Sequence, residues 1–215
     1  MTTDLGFVHR FLPANDRHLQ ATLLLLHGTG GNEQDLISLG QALMPGAAIL
    51  SPRGKVLERG MPRFFRRFAE GVFDVEDLKF RAHELAQFIE DARKEYDVPR
   101  NIVAAGYSNG ANIAAGLMLL HPGLLSGGVL LRAMAPFMPE ALPDLTGTRV
   151  LLAAGRQDPI IPQEGTMQLS DILKASGADV ALHWHNGGHE LGQDDIEVAR
   201  EWVRAWKPAK TVSRP

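Results

Sequence analysis

Apolar and polar positions along this chain fall into blocks that alternate between two periods. Ala21 to Leu26 is an apolar run of the kind found in a strand buried on both faces. Phe7 to Leu12, ahead of it, fits an edge strand. Glu33 to Met44 reads as a helix, and Ala47 to Leu50 as a short strand ending at Ser51-Pro52-Arg53-Gly54. Asp74 to Tyr96 sets Leu78, Ala82, Leu85 and Ile89 at helical spacing, which predicts a long amphipathic helix. Asn101 to Ala105 predicts a strand, Asn109 to Leu120 a helix, and Gly127 to Leu131 and Arg149 to Ala153 two more strands. A helix over Gln163 to Ser176 ends at Gly177, a strand covers Val180 to His185, and Asp194 to Ala205 is the last helix. This β-then-α alternation predicts an α/β fold with a mostly parallel sheet and helices on both faces. In such sheets the reactive side chains sit on loops beyond the carboxyl ends of the strands. Lys55 to Val72 breaks the pattern. It is rich in Arg, Phe and Gly, shows no periodicity, and reads as a long insertion without elements.

Composition narrows the class. The 215 residues fit one domain over 1–206, followed by a polar, proline-bounded tail over 207–215 that is expected to be mobile. A net charge of -3 argues against a nucleic-acid partner held by phosphate contacts. Arg63, Arg66 and Arg67 form the only basic cluster, read as a solvated loop face. The absence of cysteine excludes disulfides, thiolate catalysis and cysteine-based zinc sites. Met1 to Leu5 lacks a basic region followed by an apolar stretch, and no apolar run is long enough to span a bilayer, so a cytoplasmic protein with no integral membrane segment is expected.

The chemistry gathers at the strand ends. Gly106-Tyr107-Ser108-Asn109-Gly110 lies between a strand and a helix and reads as a nucleophile elbow, with Ser108 at the tip of a sharp turn. A serine hydroxyl needs a base. His189, in Asn186-Gly187-Gly188-His189-Glu190 past a strand end, is the best placed of eight histidines. A base histidine needs an anion to fix its tautomer. Asp158, in Gly155-Arg156-Gln157-Asp158-Pro159, is the candidate, although aspartate before proline also starts ordinary turns. Ser108, Asp158 and His189 occur in the chain order of α/β-hydrolases. The backbone N–H of Asn109 and that of Thr29, in His27-Gly28-Thr29-Gly30-Gly31, are the expected oxyanion donors. That glycine loop lacks the third glycine or the Lys-Ser/Thr of a nucleotide-binding loop. His183, His185 and His189 could converge on a metal, but no acidic ligand stands at a recognisable spacing. Asp74, Glu76 and Asp77 fit the first turn of a helix better than a carboxylate pair.

With these four motifs in register, the chain resembles the bacterial phospholipase/carboxylesterase family of α/β-hydrolases, relatives of acyl-protein thioesterases, over nearly its whole length. Ser51 to Gly54 and Met61 to Phe68 look like the small carboxylesterase branch rather than the thioesterase branch. The resemblance implies an α/β-hydrolase fold, a serine carboxylesterase, no metal or organic cofactor, a small-molecule ester substrate, and often a homodimer. Thioesterase and lysophospholipase activity stay open, as does a non-catalytic ligand-binding role on the same fold. For the substrate pocket, Phe64, Phe65, Phe68 and Met134 are candidates, with ordinary core packing the equal alternative for the aromatics.

Overall fold

The computed structural model describes residues 5–16, 19–99 and 101–206. The expected tail over 207–215 lies outside them. The chain runs β1 (His9–Leu12), β2 (Ala21–Leu26), α1 (Ile37–Leu43), β3 (Ala48–Pro52), β4 (Val56–Glu58), β5 (Met61–Arg63), β6 (Arg67–Ala69), β7 (Val72–Phe73), α2 (Val75–Tyr96), β8 (Asn101–Tyr107), α3 (Asn109–Leu120), β9 (Gly127–Leu131), β10 (Arg149–Gly155), α4 (Gln163–Ala175), β11 (Asp179–His185) and α5 (Gln193–Ala205). Seven strands form one sheet in the order β1-β3-β2-β8-β9-β10-β11. All its pairings are parallel except that of β1, which runs antiparallel to β3 at the edge.

Period-two alternation divides the strands between two cores. Leu24, Leu26, Ile102 and Ala104 face Leu78, Leu85, Ile113, Leu117 and Leu169 of α2, α3 and α4. Leu23, Leu25, Val103 and Ala105 face Leu43, Ala199 and Val203 of α1 and α5. Each leucine taken out of water this way stabilises the sheet by about 1.5–3 kcal/mol. Helix α2 starts where its acidic residues direct it. Asp74 is the N-cap and accepts the Asp77 N–H at 3.1 Å, while Glu76 and Asp77 fill the first turn.

Two expectations need correction. The first helix begins at Ile37 rather than Glu33. Asn32 and Asp35 turn the intervening chain instead: Gln34 N–H donates to Asn32 Oδ1 and Asn32 N–H to Asp35 Oδ2, local bonds that compete with helix. The 55–72 segment is not element-free either. It folds into two hairpins, β4–β5 and β6–β7, separate from the main sheet. The first turns at Arg59-Gly60, where both residues have positive φ (52° and 82°), the backbone of a tight hairpin turn. Strands of two or three residues are too short to show a period.

Phe64 and Phe65, between the hairpins, are 3% and 0% exposed and belong to the α2–α3 core. Phe65 meets Phe73 edge-on at 5.1 Å. Phe68 is 76% exposed. Core packing, the alternative reading of these aromatics, describes Phe64 and Phe65. Phe65→Ala should therefore cost about 3–5 kcal/mol in urea unfolding. Phe68→Ala should change stability by less than about 0.5 kcal/mol.

Candidate active site

Ser108 stands between β8 and α3 with φ 52° and ψ -112°, a backbone conformation that L-residues rarely adopt. Holding it costs of order 1–3 kcal/mol, which the surrounding packing must supply. The two glycines of the motif make the turn possible by letting backbone approach backbone. A Cβ on Gly106 would lie 2.7 Å from the Gly110 carbonyl, and one on Gly110 would overlap the Leu26 carbonyl at the end of β2. Ser108 N–H donates to the Leu131 carbonyl at 2.8 Å, and Asn112 N–H to the Ser108 carbonyl at 3.0 Å, so both sides of the elbow are tied down.

His189 Nε2 lies 2.9 Å from Ser108 Oγ, and His189 Nδ1 lies 2.8 Å from Asp158 Oδ2. The two oxygens of Asp158 have separate partners. Oδ1 accepts the Ile160 and Ile161 N–H groups at 2.8 and 3.0 Å, forming the turn, and Oδ2 is left for the histidine. The carboxylate is buried, with its side chain 1% exposed. The Asp158 and His189 loops are joined directly. Arg156 N–H donates to the His185 carbonyl and Gln157 N–H to the Gly187 carbonyl. Gly155 permits this contact, since a Cβ there would overlap the Gly187 and Gly188 carbonyls.

Sequence reading missed the residue that holds the histidine loop. Arg132 follows β9, is fully buried, and has φ 60°. Its guanidinium donates to the Gly188 carbonyl (3.1 Å) and the Glu190 carbonyl (2.7 Å), on either side of His189. Tyr107 Oη–H donates to the His189 carbonyl between them at 3.1 Å. Arg132 is itself fixed by Asp195, with Nη1 3.0 Å from Oδ1 and Nη2 2.6 Å from Oδ2. Burial pushes the Asp195 carboxyl up, but hydrogen bonds from Arg132 and the Gly192 amide, with the nearby positive charge, hold it below the usual carboxylate value. A buried arginine followed by an ordinary apolar loop carries no sequence signal for this role.

Of the three histidines weighed as a metal cluster and not favoured, His189 lies against Ser108 and Asp158. Among the described residues, His185, Asp194 and Asp195 are the side chains close enough to share a cation. Arg132 already donates to Asp195 and approaches His185 Nε2 at 2.6 Å.

A cleft of about 190 Å³ opens over Ser108, lined by Thr29, Arg63, Arg67, Phe73, Tyr107, Asn109, Asn112, Ile160, Ile161 and His189 among others. Thr29 and Asn109 thus line the same cleft as Ser108. In the 28–31 turn, Gly30 and Gly31 N–H bond to the Pro62 and Gly28 carbonyls. Phe64, Phe65, Phe68 and Met134 are not among the lining residues. Met134 is held just behind the cleft, its N–H donating to Asn112 Oδ1 at 3.0 Å. The basic cluster also needs correction. Arg66 is exposed, as a solvated loop residue should be, but Arg63 is 2% exposed and lines the cleft together with Arg67. The short hairpins turn these residues inward, which a plain charge run cannot reveal.

Two further contacts tie the glycine loop to the end of β3. Arg53 forms a bidentate ion pair with Glu33 at 2.6 and 2.9 Å. Buried His27 donates from Nδ1 to the Gly28 carbonyl (2.7 Å) and accepts the Gly54 N–H at Nε2 (3.0 Å). Because an amide can only donate, the ring is neutral in this arrangement. Burial lowers its pKa below 6.5, against the Gly28 carbonyl and the Asp35 and Glu33 charges, which raise it.

The sequence profile of the phospholipase/carboxylesterase family, of the α/β-hydrolase fold, matches residues 9–207. The chain belongs to this family. It is 48% identical over 183 residues to MhqD of Bacillus subtilis, named as a hydrolase, covering 85% of this chain and 92% of that protein. It is 26% identical to the esterase YpfH of Escherichia coli, covering 91% of this chain and 87% of YpfH. The crystal structure of a Bacillus cereus carboxylesterase superposes with a TM-score of 0.88 at 48% identity, covering 91% of this chain and 92% of the other. This family of hydrolases and esterases acts on small ester substrates.

Two outcomes follow from the loop anchors. Arg132→Met leaves a buried carboxylate unpaired and should cost about 3–5 kcal/mol in denaturant unfolding. Arg132→Met/Asp195→Leu should cost less than the sum of the single variants, as coupled neighbours do. For His27, the unfolded ring takes up a proton near pH 6.5 while the folded ring resists it. The unfolded state therefore binds more protons as pH falls through this range, and stability should decline from there. His121, whose pKa burial also lowers, adds to the same slope. His27→Gln should show a shallower decline in urea midpoint between pH about 7.5 and about 5.5.

Proposed function

We propose that this protein is a serine carboxylesterase that hydrolyses small or medium-chain esters through an acyl-enzyme. The unbroken relay from Ser108 Oγ through His189 to Asp158 Oδ2, at 2.9 and 2.8 Å, carries this reading. Ser108 attacks the ester carbonyl while His189 removes its proton. His189 then protonates the leaving alcohol, and Asp158 orients the ring and stabilises its charged form. The N–H groups of Thr29 and Asn109 hold the developing oxyanion. Asn109 opens α3, so the helix dipole adds positive potential at that point. Water, activated by His189, attacks the acyl-enzyme and releases the acid, and the proton returns to Ser108.

The esterase and carboxylesterase names of the relatives support the same chemistry. The cleft, about 190 Å³, supports small acyl and alcohol groups. Pockets for drug-sized ligands run to about 300–1,000 Å³. A long lipid chain laid there would also desolvate Arg63 and Arg67, which weighs against a thioesterase or lysophospholipase acting on lipids.

A fluorophosphonate probe should label the wild-type protein and leave Ser108→Ala unlabelled. On p-nitrophenyl esters, Ser108→Ala should lose at least about 10⁴-fold in kcat. Labelling or turnover that survives the substitution ends the reading. The kcat/KM of the wild type should fall along the ester series as the acyl chain lengthens, because the cleft is small.

A further inference from the structure

Arg63 carries hydrogen-bonding capacity that the fold leaves unused. Its Nε donates to the Phe65 carbonyl at 3.1 Å and lies 3.2 Å from Glu58 Oε2, and its Nη1 donates to Thr29 Oγ1 at 2.6 Å. Nη2 has no partner among the described residues, although the residue is 2% exposed and lines the cleft beside Ser108. Arg67 shows the same surplus. Its Nε and Nη2 grip Glu58 at 2.9 to 3.2 Å, and Nη1 has no partner among the described residues. Glu58 therefore serves two guanidinium groups, and it is not itself a lining residue of the cleft. Glu70 does line the cleft, but it is exposed and pairs with neither arginine among the described residues, so water screens its charge.

A buried guanidinium is costly to desolvate and is expected to have its N–H groups satisfied. Nη2 of Arg63 is not among the buried atoms left without a partner, so water of the cleft reaches it, and a substrate acceptor there would replace that water. We propose that Arg63, supported by Arg67, binds a second carboxylate carried by the substrate, so that the preferred esters are short ones bearing an anionic carboxylate. The inference rests on the esterase reading above and adds the substrate class to it. Guanidinium suits this task because its planar fork matches a carboxylate and stays charged. Burial brings the Arg63 pKa down to about 10, helped by Arg67 and opposed by Glu58, which leaves it a cation at neutral pH. The bond from Nη1 to Thr29 Oγ1 puts this charge one residue's side chain from the proposed oxyanion loop. The small cleft then limits the substrate to a carboxylate a few bonds from the scissile ester. The ester attack itself is unchanged: Ser108 Oγ bonds to the carbonyl carbon, the C–O bond to the alcohol breaks, and the second carboxylate takes no part.

The carboxylate can belong to the acyl group or to the alcohol, and two pairs of unactivated esters separate these sources in a pH-stat assay. Monoethyl succinate against ethyl butyrate tests the acyl side, and O-acetylglycolate against propyl acetate tests the alcohol side. The wild type should favour the acidic member of at least one pair by about tenfold in kcat/KM, carried mainly by KM. Arg63→Gln should reduce that preference by about tenfold, Arg63→Lys should keep part of it, and added salt should weaken it. Preference for the neutral member in both pairs overturns the proposal whatever the variants do, so it is testable even if Arg63→Gln fails to fold. A preference that survives intact in a folded Arg63→Gln also overturns it. Hydrolysis of the neutral esters that depends on Ser108 leaves the esterase reading standing in either case. Wild-type protein that hydrolyses none of the four esters removes both.

Discussion

The site depends first on a steric constraint at the centre of the sheet. Strand β8 must turn into α3 within one residue, and the turn has room only because Gly106 and Gly110 lack side chains. Gly110 sits against the Leu26 and His27 carbonyls, so the elbow also packs directly on the end of β2, from which the Thr29 loop departs. One backbone contact therefore places Ser108, the proposed nucleophile, and the proposed oxyanion loop in fixed relation. The positive φ of Ser108 follows from that packing, and the strain presents the hydroxyl above the carboxyl edge of the sheet.

Around this fixed point, each loop of the site has its own anchor. Arg53 and Glu33, together with His27, hold the glycine loop against the end of β3. Arg132 and Asp195 hold the carbonyls on either side of His189. Asp158 spends one oxygen on its own turn and the other on the histidine. Rigid support of this kind matters because a proton relay works only within hydrogen-bond distance. The anchors are mostly charged groups, yet several are buried. Their worth lies in geometry as much as in stability, since a buried pair can stabilise no more than a well-packed apolar one.

The strands and helices of the main sheet were largely legible because their periods are long enough to read and their apolar faces agree with the two cores. Where local chemistry competed, boundaries moved: Asn32 and Asp35 delay α1 to Ile37. The 55–73 segment was illegible because its strands hold only two or three residues. That one gap explains the misplaced pocket. Phe64 and Phe65 turn into the core, while Arg63 and Arg67, which look like a solvent face in the sequence, turn into the cleft.

Residue type and order singled out Ser108, Asp158 and His189 as candidates, because each local pattern has ordinary uses alone but the three fall at successive strand ends in the chain order of α/β-hydrolases. They also announced the parallel sheet, since alternating β and α periods have few ways to bury their apolar faces. Only the tertiary structure decided which groups surround that constellation. Arg132 reaches His189 across 56 to 58 positions of sequence, and Arg63 reaches Thr29 across 34. Contacts of that range leave no periodic trace in the chain. They exist only once folding has brought strand ends together at one edge of the sheet.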